Sequence, residues 1–337
     1  MVFRNCTFFL IFLVSGIFVV DIKGQESLID SVIYYGRTTS VMRDSVNWNE
    51  LEVAMRIINE EEGLGKATSH MLRELGDFHG RIWIDDVPYF GVSKGWAPSN
   101  MKIDSLNLAM YQQTSAKVHA SLLNGNFGYL RVPGVIYRED NLAEATSIYS
   151  KIDSLGKIAD IQGWVVDLRL NGGGTMYPML AGLAPLLGNQ VIGAFEDPAT
   201  NYRDEWSIKD GELYIGEYQS TDYGFKGVTD MAHLPVVVLI SGFTASSGEV
   251  VAISFKERPK TIFIGENTAA YTTAVSWIVL SESVVLQLTE SYYADRLGNI
   301  YPGTSVPPDI QIDGGDDFYN LENDVKIQKA IEWLEAQ

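Results

Sequence analysis

PVVVLISGFTASSGEVVAISF, residues 235–255, joins an unbroken apolar run to a cluster of small and hydroxyl residues and then to a second apolar segment. Val236, Val237, Val238, Leu239 and Ile240 have strand length and no polar alternation, which predicts a strand covered on both faces in an α/β domain. SGFTASSG follows at once and predicts a tight turn into a helix. A serine at such a turn exposes its hydroxyl near N–H groups that no helical carbonyl satisfies, and those groups stabilise negative charge. An acyl-transfer nucleophile needs that arrangement. Thr244, Ser246 and Ser247 are also good helix caps, so this stretch alone leaves both readings open.

A chain of 337 residues can bury a large core in one large domain or two smaller ones. Its net charge of -18 argues against nucleic acid and anionic membrane surfaces as partners, since both would repel it. At the N-terminus Arg4 precedes CTFFLIFLVSGIFVV (6–20), which gives way to the polar DIKGQES. Residues 1–24 therefore read as a signal peptide removed near Gly24, predicting a secreted or periplasmic protein, with an uncleaved anchor as the alternative. The single cysteine, Cys6, lies inside this segment. The mature chain is then expected to carry no disulfide, thiolate nucleophile or cysteine-bound metal, and its stability must come from its core.

Between Glu26 and about Gly76 the pattern is helical. Asn47 followed by Glu50 resembles a capping box, and Trp48, Leu51, Met55 and Ile58 recur at helical spacing. A further helix is predicted over 67–75, ending at GDFHGRIWI (76–84). There His79 sits in a short polar turn before a strand-like segment. His70, His119 and His233 are scattered, and the four histidines give no metal-ligand spacing. No metal or other cofactor is expected.

Residues 85–122 are rich in turn formers and read as a β-containing connector. FGYLRVPG (127–134) reads as a strand, and Leu142, Ala145, Ile148, Ile152 and Leu155 mark a helix. The apolar strand WVVDL (164–168) comes next, so the order predicts a right-handed parallel crossover. It runs into DLRLNGGG (167–174), where three glycines let the backbone approach a ligand with its N–H groups turned inward. No GxxxxGK[ST] lysine or GxGxxG spacing is present, so an anion hole for a carbonyl oxygen fits better than a phosphate loop. After residue 255 come a short apolar strand at TIFIGENT, a β-rich tail, and a closing helix capped by Asn323 or Asp324 with Ile327, Ile331 and Leu334 on its apolar face. The expected organisation is an N-terminal helical subdomain with its connector over 25–122, a core over 123–313 and a C-terminal helix within 314–337.

Five stretches now stand in a diagnostic order. LGDFHGRIW (75–83) resembles an "L-x-D-x-H" turn, GWVVDLRLNGGG (163–174) a "DLRxNxGG" segment and TASSGE (244–249) a "TASASE" nucleophile turn. IGENTAA (264–270) resembles "GExTxG" and SVPPDIQI (305–312) "GVxPDixV". Together they resemble the C-terminal processing (tail-specific) serine peptidase family, on the side of its tricorn-core and interphotoreceptor retinoid-binding-like branch. The resemblance covers about residue 30 to the C-terminus. It implies an α/β fold with a crotonase-like core, the serine after Thr-Ala as nucleophile, hence Ser246 and not Ser247, and an oxyanion hole from the N–H groups of Gly173 and Ser247.

The departures are informative. Members with a serine–lysine dyad carry lysine where Tyr271 stands here, which excludes a lysine base at that position. His79 is then the implied base, as in the tricorn-like branch. The glutamate of that branch lies where Pro302 stands here, leaving Glu290 or Asp295 as candidates to orient the histidine. Glu249 reads as a support for the turn or a favourable start to its helix. About 48 residues separate His79 from Gly128, too few for the peptide-binding PDZ module that many members insert. The resemblance thus implies a secreted or periplasmic serine peptidase acting through an acyl-enzyme on peptides or unfolded proteins. The alternative is a catalytically silent ligand-binding protein on the same fold. Nothing in the residues selects a thioester substrate, and the oligomeric state is left open.

Overall fold

Amphipathic spacing and end signals set the first three helices. The computed structural model describes residues 17–19, 27–91, 117–136, 138, 141–225 and 230–337, and it divides into two compact units. The first is Met1–Ser93 with Ala274–Glu290, and the second is Lys94–Thr273 with Ser291–Gln337. Apart from residues 17–19 the predicted signal peptide lies outside the described residues, as does 92–116 of the predicted connector.

In the first unit, helix α1 (Leu28–Thr39) starts at Ser27, whose side chain and that of Asp30 cap each other's backbone N–H. Helix α2 (Trp48–Glu62) starts at Asn47, whose side chain accepts from the Asn49 N–H. The predicted face is the buried one: Leu51 and Met55 join the core, with Trp48 and Ile58 packed against it. Helix α3 (Leu64–Leu75) stops at Gly76, whose φ of 73° closes a left-handed C-cap that disfavours other residues.

These helices cover a sheet ordered β1, β13, β14, β2, β3: β1 (Ile17–Val19), β2 (Arg81–Ile84), β3 (Val87–Phe90), β13 (Thr273–Ser281) and β14 (Val284–Ala294). β1 pairs parallel with β13, Ile17 opposite Trp277. β14 runs antiparallel to β2 with Leu286 opposite Ile82 and Gln287 opposite Arg81. Ile82, Ile278, Leu286 and Leu288 meet Val32, Met55, Met71 and Leu72 in one apolar cluster. Burying each large aliphatic side chain contributes about 1.5–3 kcal/mol.

The second unit is built on a six-stranded sheet. Its order is β16 (Ile310–Gln311), β12 (Thr261–Gly265), β11 (Val236–Ile240), β6 (Gly163–Asp167), β5 (Phe127–Arg131) and β4 (His119–Leu123). All neighbours pair parallel except β4 with β5. β11 is buried along its whole length, as its unbroken apolar run requires. Helix α4 (Leu142–Ile158) links β5 to β6 and buries the predicted Ala145, Ile148, Ile152 and Leu155. Two short helices, α5 (Tyr177–Gly182) and α6 (Ala184–Leu187), follow the glycine run. Helix α7 (Ser247–Phe255) follows β11. Helix α8 (Val325–Glu335) is capped by Asp324 and packs Ile327, Ala330 and Leu334 against Val165, Val237 and Ile264.

The same unit also contains an antiparallel run of β7 (Val191–Asp197), β8 (Tyr202–Lys209), β9 (Glu212–Ile215) and β10 (Tyr218–Gln219). The last residues of β14 pair with β7, and β15 (Ile300–Tyr301) pairs back onto β14. The fold is mixed α/β, as expected.

Candidate active site

The carboxyl ends of β6 and β11 lie side by side, and this brings DLRLNGGG and SGFTASSG together. The hydroxyls of the second stretch bolt it to carbonyls of the first: Ser241 Oγ donates to Arg169 O (2.8 Å), Thr244 Oγ1 to Leu168 O (2.9 Å) and Ser247 Oγ to Gly174 O (2.7 Å). The Ala245 N–H donates to Asn171 O at 3.0 Å. Two of the hydroxyls that looked like helix caps, those of Thr244 and Ser247, thus fasten the turn together with Ser241, and Ser246 stands at its apex as the N-cap residue of α7.

Ser246 is half-buried, with φ 51° and ψ -120°. A residue with a Cβ pays for that backbone conformation, and such outliers concentrate at functional sites. The Ser247 N–H has no hydrogen-bond partner among the described residues. It sits at the positive end of the α7 dipole, where it can receive developing negative charge.

Gly173 (φ 103°) lies against this turn: a Cβ added to it would fall 3.0 Å from Ser246 Cβ and 3.3 Å from Ser247 N. Its backbone N–H donates to Asn171 Oδ1 at 3.0 Å. Asn171 is fully buried, and its Nδ2 donates to Val132 O and contacts Met179 Sδ, both at 3.2 Å. The predicted oxyanion pair, Gly173 and Ser247, is therefore brought together beside Ser246, with one of the two donors occupied by an asparagine that the sequence reading did not single out. The signal was its place in "DLRxNxGG", directly before the glycines.

Beneath the turn lies Glu249, 0% exposed. Its carboxylate accepts from the N–H groups of Ser246 (2.9 Å), Ala270 (2.9 Å) and Tyr271 (2.8 Å) and from Thr268 Oγ1 (2.5 Å). Burial pushes its carboxyl up to about 7, and the four donors offset that rise only in part. Tyr271, where a lysine was sought, thus contributes its backbone N–H to the support of the turn.

His79 belongs to the first unit. It is buried, and its turn is organised by Asp77, whose carboxylate accepts from the N–H groups of His79 (3.1 Å), Gly80 (2.7 Å) and Thr289 (3.0 Å) and from Thr289 Oγ1 (2.7 Å). Gln287 Nε2 donates to His79 O at 3.2 Å. Asp77 is 0% exposed, and burial raises its carboxyl against these donors. Strand β14 thus holds the histidine turn through Gln287 and Thr289.

The two candidate acids differ in their engagements. Glu290, in the first unit, accepts a hydrogen bond from Ser276 Oγ, and burial raises its carboxyl. Strand alternation puts it on the face of Leu286 and Leu288, opposite that of Gln287 and Thr289, which hold the histidine turn. Asp295, in the second unit, spends its carboxylate on its own turn, accepting from the N–H groups of Leu297 (2.9 Å) and Asn299 (3.0 Å) and from Asn299 Nδ2 (2.9 Å). Pro302 directly follows β15. Among the described residues no group of three or more His, Cys, Asp or Glu side chains is placed to hold a metal ion.

A nisin-resistance protein of Lactococcus lactis subsp. lactis is 32% identical over 218 residues, 64% of this chain and 62% of the relative. A carboxy-terminal-processing protease of Bartonella bacilliformis is 26% identical over 57% of this chain and 40% of its own length. The matches thus span less than two thirds of these relatives. Among solved structures, a lipoprotein from Streptococcus agalactiae superposes with a TM-score of 0.64 at 20% identity, over 91% of this chain and 95% of that one. A photosystem II D1 C-terminal processing protease gives 0.56 at 17% identity, over 85% and 92%. At such identities the likeness is one of fold. The profile of Peptidase family S41 matches residues 126–312, more than half of the chain, which takes in the glycine run, the Ser246 turn and the loop at 268–271: the chain belongs to peptidase family S41.

Proposed function

We propose that the protein is a serine peptidase that cleaves peptides or unfolded proteins through an acyl-enzyme on Ser246, on a crotonase-like core. The observation that carries this reading is the strained Ser246 at the N-terminus of α7, beside a Ser247 N–H that has no hydrogen-bond partner among the described residues and a positive-φ glycine run. The name of the Bartonella relative, a carboxy-terminal-processing protease, supports a polypeptide substrate.

In this mechanism Ser246 Oγ attacks the scissile carbonyl carbon while His79 accepts the hydroxyl proton. The carbonyl oxygen takes the negative charge and sits against the Ser247 and Gly173 N–H groups, the second released from or shared with Asn171 Oδ1. The tetrahedral adduct collapses, the leaving amine takes the proton from His79, and water repeats the sequence to free the acyl group. His79 is assigned on its place in the LGDFHG turn, and the rigidity given to that turn by Asp77 supports the assignment. Without a PDZ module, substrate choice would fall to the cleft, and the N-terminal apolar run would direct the protein to a secreted or periplasmic location.

A fluorophosphonate probe tests the reading. Covalent labelling of the wild type, lost in Ser246→Ala and strongly slowed in His79→Ala, is the expected result. Absence of labelling together with a co-purified apolar ligand would favour the silent ligand-binding alternative.

A further inference from the structure

We propose that Glu249 is a positioning residue for hydrolysis: its carboxylate locks the Ser246 backbone to the loop at 268–271 and thereby sets where the nucleophile stands. The proposal rests on the reading of Ser246 as nucleophile and goes beyond it by naming what holds that residue in place.

Three residues after an N-cap, a glutamate reaches back to one N–H and leaves its remaining lone pairs to water. Glu249 makes that contact, Ser246 N–H to Oε2 at 2.9 Å, but it is 0% exposed and has no water to turn to. Its other acceptor sites are filled from a segment 19 to 22 residues further on: Tyr271 N–H shares Oε2, while Thr268 Oγ1 and Ala270 N–H share Oε1. Each carboxylate oxygen therefore takes two donors, and Oε2 alone bridges the nucleophile to the loop.

Both ends of this bridge are backbone outliers. Ser246 has φ 51° and Ala270 has φ 68°, and neither is glycine. Such conformations persist only where surrounding bonds over-determine them. Two further bonds tie the same loop: the Ala269 N–H donates to Thr244 O at 3.0 Å, and the Val306 N–H donates to Thr268 Oγ1 at 2.8 Å. Desolvating a carboxylate is costly, yet one has been placed directly under the candidate nucleophile. An ionised carboxylate offers only acceptors, which is what four converging donors need. No other acid or base precedes Lys256 on α7. The segment 171–174 and residues 304–307 have none. On the loop, Tyr271 is the titratable side chain, since Glu266 at its start is engaged with Lys326 Nζ and the Gly314 N–H.

Glu249→Gln tests the proposal with an isosteric side chain. Its amide NH2 must face either Ser246 and Tyr271 or Thr268 and Ala270, donor against donor. The rate constant for fluorophosphonate labelling is measured alongside kcat and KM on fluorescently labelled unfolded casein, with the melting temperature as the check on folding. A displaced nucleophile predicts labelling and kcat both lowered about 10–100-fold, with KM changed less than about twofold. In the wild type the labelling rate should also rise with pH as Glu249 ionises, and the Glu249→Gln profile should lose that component.

A folded Glu249→Gln protein that labels at the wild-type rate overturns the positioning role and leaves the Ser246 reading intact. Should that variant fail to fold, Thr268→Val decides by removing one donor from the loop side, with about a 3–10-fold slower labelling expected and a wild-type rate overturning the proposal. A wild type that is never labelled overturns the Ser246 reading and this one with it.

Discussion

Arg169 and Asp324, 155 positions apart in the chain, meet at 2.7 Å with both side chains almost fully withdrawn from water. Arg169 also grips Asp167 through Nε and Nη2 (2.9 and 2.7 Å), bonds Asp316 at 2.6 Å and lies over the Phe318 ring at 4.6 Å. One guanidinium thus joins the strand that leads into the glycine run to the cap of the last helix. Removing one member of such a cluster strands the others as buried charges.

Arg169→Met is expected to destabilise the second unit by about 3–5 kcal/mol, because Asp167 and Asp324 lose their counter-charge. Denaturant unfolding measures it; a loss below about 1 kcal/mol would contradict the account. Burial raises the Asp167 carboxyl, but Arg169 and Tyr129 outweigh it and hold the group below its ordinary range. A depressed acid contributes stability above its unfolded value that is lost as pH falls through the folded one. This cluster should therefore give way in acid, below about pH 4.

Gly174→Ala tests the backbone of the candidate anion hole. At φ 112°, an added Cβ would lie 1.9 Å from Val135 O, within bonding range of an atom in the adjacent segment. The substitution should cost more than about 3 kcal/mol or abolish folding, with labelling of Ser246 lost in either case. Wild-type unfolding and labelling would show that the glycine run is not packed as described.

Glu249 makes stability and activity move in opposite directions with pH. Its folded value, about 7, lies above the ordinary 4.5. Between these values the folded state binds the extra proton, so this group favours folding at low pH, and its contribution is lost as pH rises toward 7. The shift corresponds to roughly 3 kcal/mol at most. Activity that needs the ionised carboxylate should rise over the same interval. Unfolding free energies and labelling rates measured from pH 5 to 8 provide the check, and parallel trends would count against it.

Asp77→Ala removes the acceptor for four donors, two in the histidine turn and two on Thr289 of β14, three of them backbone N–H groups. A loss of about 2–4 kcal/mol in the first unit is expected from leaving them unpaired. Thr289→Val, which deletes one donor and keeps the backbone bond, should cost only about 1 kcal/mol. Equal effects would show that the turn does not depend on the carboxylate.

What could be read directly from the chain was whatever depends on neighbours in sequence. The apolar run at 236–240, the helical spacing of Trp48, Leu51, Met55 and Ile58, and the Asp324 cap are local patterns, and each appears in the fold. Placing Ser246 beside Gly173 required only that two buried strands ending in these turns be neighbours. Long-range hydrogen bonding was not legible. No spacing indicates that Glu249 collects N–H groups from 270 and 271, that Asn171 Oδ1 occupies the Gly173 N–H, or that Asp295 closes its own turn. Glu290 was a reasonable candidate by composition, but which face of β14 it takes depends on strand register, which the residues alone do not specify.

The split composition of the first unit bears on how the chain is made. Its helices and first hairpin end by Phe90, within the segment Met1–Ser93, whereas Ile278, Leu286 and Leu288, which complete their core, arrive only with Ala274–Glu290. At ribosomal rates, roughly 10–40 s of synthesis separate the two segments. During that interval the nascent N-terminal helices hold an uncovered apolar face, so this unit closes late, after most of the six-stranded sheet has emerged. Truncation before residue 274 would leave it permanently open, a target for chaperones or proteolysis.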